Sequence, residues 1–154
     1  MKGFGVLEDL VDLLAKLRYD FTRVAEDPAD SFAAFDFFVT AEHMVDWVHP
    51  GYSNREAREL LRRGSVLLQV VSHIASGAKH FVAEARQHQS VQHTDTVGGN
   101  YDPEVRPPGV AVGALYVTLD GPAASALGAQ VGVVELASQV LRFWDAYVES
   151  QGNR

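Results

Sequence analysis

Apolar residues recur at helical spacing from the first turns of the chain. Leu7, Leu10, Val11, Leu14, Leu17, Phe21 and Val24 alternate with Glu8, Asp12, Lys16 and Arg23, which predicts an amphipathic helix over 6–26. Glu26-Asp27-Pro28 ends it, because proline disfavours helical geometry in the residue before it. Asp27 as N-cap, with Pro28 in the first helical position, predicts a second helix reaching about Val48, and His49-Pro50-Gly51 stops that one. Ser53-Asn54-Arg55-Glu56 has the spacing of a capping box, so a short third helix is expected over 54–63, with Gly64 as its C-terminal cap. Ser65 caps a fourth, from Val66 to about His88. Four helices joined by short loops are expected to lie as antiparallel neighbours in a bundle.

The texture then changes. Residues 91–110 hold Gly98-Gly99-Asn100, Asp102-Pro103 and Pro107-Pro108-Gly109 without any period, the mark of a long loop. Val110, Val112, Leu115, Val117 and Leu119 predict a strand, Asp120-Gly121-Pro122 a turn, and 123–131 a weakly patterned second strand. A hairpin over about 110–131 therefore precedes a last helix at 133–149, whose apolar positions are Val134, Leu136, Ala137, Val140, Leu141, Trp144 and Val148. The expected fold is mainly α: an antiparallel four-helix bundle with a β-hairpin before a C-terminal helix, in one domain over 1–154.

One strip departs from the core pattern. On a wheel of 100° per residue, Phe35 and Val39 lie on a line that continues to Glu42 and Asp46, with His43 and Trp47 beside it. Burying such carboxylates is costly unless they are paired, so they must meet water or a partner. Candidate partners stand on the fourth helix. Opposite its apolar arc it carries Gln69, Ser72, His73, Ser76, Lys79 and His80, with Gly77 at the edge. A solvated helix face is normally rich in Glu, Lys and Arg. Small side chains and histidines instead allow another backbone or a ligand to approach closely.

Composition narrows the chemistry. The 154 residues contain no cysteine, which removes disulfides, thiolate metal sites and a cysteine nucleophile. The acidic start lacks the apolar stretch of a signal peptide, and no apolar run approaches the ~18 residues of a membrane span. A cytoplasmic protein without membrane contact is the expectation. Net charge is −7, distributed as −6 over residues 1–50, +3 over 51–94 and −4 over 95–154. This acidic balance disfavours nucleic acid as a partner. The basic cluster Arg55, Arg58, Arg62 and Arg63 reads as a solvated helix face that could at most hold a small anion.

Three readings of the strip follow. In the first, Glu42, His43 and Asp46 hydrogen-bond across to His73, Lys79 and His80 in a buried network that fixes helix register. In the second, His43 with Asp46 and His80 with Glu84 face a metal, since pairs three or four apart share a helix face. Against it, His73 and His80 stand roughly 10.5 Å apart along the axis, and neither a His-Glu-x-x-His motif nor paired Glu-x-x-His units occur. In the third, His43, Asp46, Lys79 and His80 form a catalytic set, with a histidine as acid or base near neutral pH. No cofactor and no metal are expected.

Glu42-His43-Met44-Val45-Asp46-Trp47, followed by Ile74-Ala75-Ser76-Gly77-Ala78-Lys79-His80, resembles a group of small uncharacterised bacterial and phage proteins. They share a His-x-x-Asp-Trp … Gly-x-Lys-His pattern, a Gly- and Pro-containing loop, a strand, an Asp-Gly turn and a terminal helix with Phe-Trp, here Phe143-Trp144. The likeness spans about 36–148, and this group is similar to the HEPN superfamily of helical bundles. That resemblance implies a dimerising bundle, with an RNase or an RNA-related or defence role. Catalytic HEPN proteins carry an Arg and a following His on one helix, four to six residues on. Here the pair that comes nearest is Arg86 and His93, with six residues intervening, at the end of the fourth helix. The resemblance thus implies the bundle more than the nuclease.

The expected function is an HEPN-like helical interaction module that forms a homodimer. Trp47, Ser72, His73, Ser76 and Gly77 are its interface and the His/Asp/Lys strip is a structural network. The rival is an RNase or metal-dependent hydrolase acting through His43, Asp46, Lys79 and His80.

Overall fold

A computed structural model describes residues 5–80, 90–96 and 113–152, and the side chains of these except at 78–80. The chain is mainly helical, with a small three-stranded antiparallel sheet. Helix α1 spans Leu10–Glu26, α2 Ser31–Val48, α3 Arg55–Arg63 and α4 Val66–His80. Strands β1 (Val91–Thr96) and β2 (Leu115–Leu119) follow, then α5 (Gly121–Leu127), β3 (Gln130–Gly132) and α6 (Val133–Gly152).

Helix α1 starts later than its apolar pattern suggested because Asp9 caps it. The Asp9 carboxylate accepts from the N–H groups of Val11 and Asp12, while Asp12 returns a bond to the Asp9 N–H. This reciprocal capping fixes the first turn. Asp27 does not cap α2, as the sequence suggested. It closes α1 and accepts from the Ala29 N–H, and Asp30 caps α2 through Phe32 and Ala33. Two short acidic side chains thus divide one inter-helix turn between them. The capping box expected at Ser53 and Glu56 is also absent. Tyr52–Asn54 forms a 3-10 turn, and Asn54 bonds to the Pro50 carbonyl without capping α3 through its side chain.

Lys16 meets Thr40 and Arg23 meets Asp36, so α1 and α2 run antiparallel. Helix α2 also packs against α4, and α6 packs against α1 and α2. The core between them holds Leu13, Leu17, Val24, Phe37, Met44, Leu68, Val71, Leu136, Val140 and Trp144, all essentially closed to solvent. Each such side chain stabilises the fold by about 1.5–3 kcal/mol through apolar burial. Phe37 sets an edge against Phe38, and Trp144 does the same against Phe143 and Tyr147.

The second half differs from the expected hairpin. Strand β2 is central, pairing antiparallel with β1 (Thr94 beside Val117) and with β3 (Val117 beside Val131). Asp120-Gly121-Pro122 does not turn directly into a strand; it opens α5, with proline in the first helical turn where its missing N–H costs nothing. The polar segment 91–96, expected as loop, is β1. The expected continuation of α4 beyond His80, and the loop residues 97–110, lie outside the described residues. Val117, Leu119 and Val131 turn into the core, and the Leu115 N–H bonds to the Pro28 carbonyl, tying the sheet to the α1–α2 turn. Among the described residues, no helix is long and apolar enough to cross a membrane.

Candidate functional site

The acidic end of α2 meets the basic face of α3. Glu42 and Asp46 are four apart on one helix, Arg58 and Arg62 four apart on the other, so each pair presents its charges on a single face. Arg62 Nη2 lies 2.6 Å from Glu42 Oε1, and Arg62 Nε donates to the same oxygen at 2.9 Å. Arg58 Nε lies 3.3 Å from Asp46 Oδ1, and Arg62 approaches that oxygen at 3.8 Å. Arg58 Nη1 also donates to the His49 and Gly51 carbonyls, both at 2.7 Å, which holds the α2–α3 connection. Among the described residues, the fixed cations that meet the acidic strip are therefore arginines. Arg58 and Arg62, read from sequence as part of a solvated face, are only 16% and 20% exposed.

Glu42 is the group most altered by this setting. Burial pushes its carboxyl above the usual range, against the pull of Arg62, and neighbouring Asp46 adds to the rise. Ser72 on α4 donates to Glu42 Oε1 at 3.4 Å, while Oε2 is buried without a hydrogen-bond partner among the described residues. Asp46 is half exposed and also faces His43, whose Nδ1 stands 3.5 Å from Oδ2. The His43 ring projects to solvent, and Trp47 is half-buried against the core.

On α4, His73 turns inward. It is 8% exposed, and its Nδ1 accepts from the N–H groups of Val91 at 2.9 Å and Ser90 at 3.3 Å. That role requires an unprotonated Nδ1 and places the ring proton on Nε2. Rather than offering a binding face, His73 fastens the start of β1 to α4. Ser72 serves Glu42, and Ser76 is half-buried with partners of its own. Outside its own helical backbone and chain neighbours, no described atom lies within 4 Å of where a Cβ on Gly77 would sit. The side chains of Lys79 and His80, and all of Glu84 and Arg86, lie outside the described residues. Of the four candidate catalytic residues, the structure thus brings together His43 and Asp46.

A second polar cluster escaped the sequence reading. Asp20, 1% exposed, accepts from Lys16 Nζ at 2.5 Å and from Thr40 Oγ1 at 2.7 Å, and Lys16 also reaches Thr40 Oγ1 at 3.0 Å. The three groups close on themselves between α1 and α2. Its signal was present: Leu13, Leu17, Asp20 and Val24 follow the 4-3-4 spacing of a buried helix line.

Chemically, these clusters are neutralised internally. Each carboxylate has a cationic partner within the fold, and Asp46 is shared between His43 and Arg58. Among the described residues, no group of three or more His, Asp or Glu side chains is placed to hold a metal ion. No family model matches the chain, and no curated protein or solved structure matches it.

Proposed function

We propose that this protein is a helical interaction module, HEPN-like in its bundle, that associates with a second copy of itself, and that its charged strip serves the fold. The observation that carries the reading is the pairing of Glu42 and Asp46 with Arg62 and Arg58. Two carboxylates suited to acid–base or metal chemistry are thereby committed to docking α3. The surface meanwhile keeps large apolar side chains, among them Tyr19, Phe32 and Tyr52, at 65%, 81% and 88% exposure. Exposed aromatic groups of this kind are common in contact surfaces. Light scattering across a concentration series tests the reading: the mass should rise from one chain toward two. A constant one-chain mass would overturn self-association.

The rival reading, an RNase or metal-dependent hydrolase, draws on the exposed His43 ring beside Asp46. It requires His43→Ala to abolish RNA cleavage while the circular dichroism spectrum is unchanged. Absence of cleavage by the unaltered protein, with and without added divalent metal, would dispose of it.

A further inference from the structure

The sheet has two unequal edges. β3 is three residues long, and short edge strands are one way a fold discourages unwanted pairing. β1 is six residues long, and Gln92, His93, Thr94, Asp95 and Thr96 are all exposed. Among the described residues it pairs with β2 alone. Neither lysine nor proline guards it, and its one irregularity, between Val91 and His93, leaves His93–Thr96 in regular register with β2. The strand is also firmly placed. His73 holds the Val91 and Ser90 N–H groups, and the Ser90 carbonyl accepts from the Asp120 N–H at 3.2 Å. An edge strand of six residues, anchored at its start and, among the described residues, uncovered on its outer side, is a template for another strand.

The sequence of β1 states which strand. Paired antiparallel with itself about Thr94, it sets His93 opposite Asp95 of the second copy, Asp95 opposite His93, and Thr94 beside Thr94. Imidazole with carboxylate, and threonine with threonine, are favourable cross-strand neighbours. We propose that β1 is the edge through which two copies of this chain join, extending each sheet into one continuous antiparallel sheet across a two-fold axis. The proposal rests on the self-association reading above and adds its surface. Six residues of edge cover well under the roughly 1,200–2,000 Å² buried by specific, stable interfaces, so the dimer is expected to depend on concentration.

Because the chain has no cysteine, Thr94→Cys supplies a single thiol. Residues facing each other across antiparallel strands have Cα atoms about 4.5–5.5 Å apart, within disulfide range. Mild oxidation of Thr94→Cys should give a covalent dimer in many-fold excess over Thr22→Cys, a control at an exposed position on α1. Thr94→Lys, which sets two ammonium groups together at the axis, should hold the light-scattering mass at one chain while circular dichroism stays native. If the unaltered protein dimerises but Thr94→Lys still does, and Thr94→Cys cross-links no better than the control, the edge is wrong and self-association stands. If the unaltered protein remains one chain at every concentration, both fail. Pairing of β1 with an extended segment of a different protein, without a homodimer, would also overturn the proposal.

Discussion

Arg62 and Glu42 meet at 2.6 Å although twenty residues separate them in the chain. Helix α3 buries no side chain fully, and this pair, Arg58 on Asp46 and the partly buried Leu61 against the core together hold it. The uneven charge of the sequence has a structural meaning here: a basic segment lies on an acidic one. Removing Arg62 strands a mostly buried carboxylate. Arg62→Ala should therefore cost about 2–3 kcal/mol, read as a lower urea midpoint with an unchanged slope.

Glu42 gives that contact a pH dependence of definite sign. Its folded carboxyl is raised by burial, so above the unfolded value of about 4.3 the folded state holds the proton more tightly. The contribution to stability is fullest below that value and is lost as pH rises through the raised folded pKa. Glu42→Gln removes the titration. Relative to the unaltered protein, its stability should improve as pH rises above the unfolded value and level off once the raised folded pKa is passed, measured by urea midpoints at intervals. A difference that stays flat or worsens over that range would contradict burial as the controlling effect.

The closed triangle of Lys16, Asp20 and Thr40 allows a sharper comparison. Lys16→Met leaves the buried Asp20 carboxyl without its cation and with Thr40 as its remaining donor, and should cost about 1–3 kcal/mol. Replacing all three groups together, as Lys16→Met, Asp20→Leu and Thr40→Val, leaves nothing unpaired and should cost much less than the single change. Thermal or urea unfolding of both proteins decides it.

The helical half of the fold was legible because Leu14, Leu17 and Val24, or Leu136, Val140 and Trp144, repeat at a period that only a helix satisfies. β1 was not, since Val91-Gln92-His93-Thr94-Asp95-Thr96 has no apolar alternation to reveal a strand. An edge strand exposed on both faces has no hydrophobic signature. Asp120-Gly121-Pro122 was read as a turn because the same residues suit both a turn and the first turn of a helix. At the candidate site, the acidic half of the strip was visible on the wheel and its partners were not. Arg58 and Arg62 look like any charged helix face until tertiary contact brings Glu42 and Asp46 to them.

His73 offers a prediction about local structure. Its Nδ1 satisfies two backbone donors at the start of β1, and His73→Phe keeps an aromatic ring there while removing the acceptor. The loss should be about 1–3 kcal/mol, concentrated where the donors are. Hydrogen exchange at Val91 and Ser90 should accelerate strongly, while amides in α1 and α2 keep their protection relative to global unfolding. Uniform acceleration across the chain would mean that His73 supports the core as a whole and not the strand.

Trp144 separates packing from polar satisfaction within the hydrophobic core. It is fully buried between Phe143 and Tyr147, yet its indole N–H has no acceptor among the described residues. Trp144→Ala removes the ring and leaves a cavity, which should cost about 3–5 kcal/mol. Trp144→Phe also loses volume but removes the unsatisfied donor, whose burial is itself unfavourable by about 1–3 kcal/mol. The phenylalanine variant should consequently retain most of the stability that alanine loses, in excess of what its restored apolar area alone supplies. A phenylalanine midpoint above that of alanine by no more than its restored apolar burial supplies would mean that the indole N–H is satisfied in solution and that the cavity alone governs the loss.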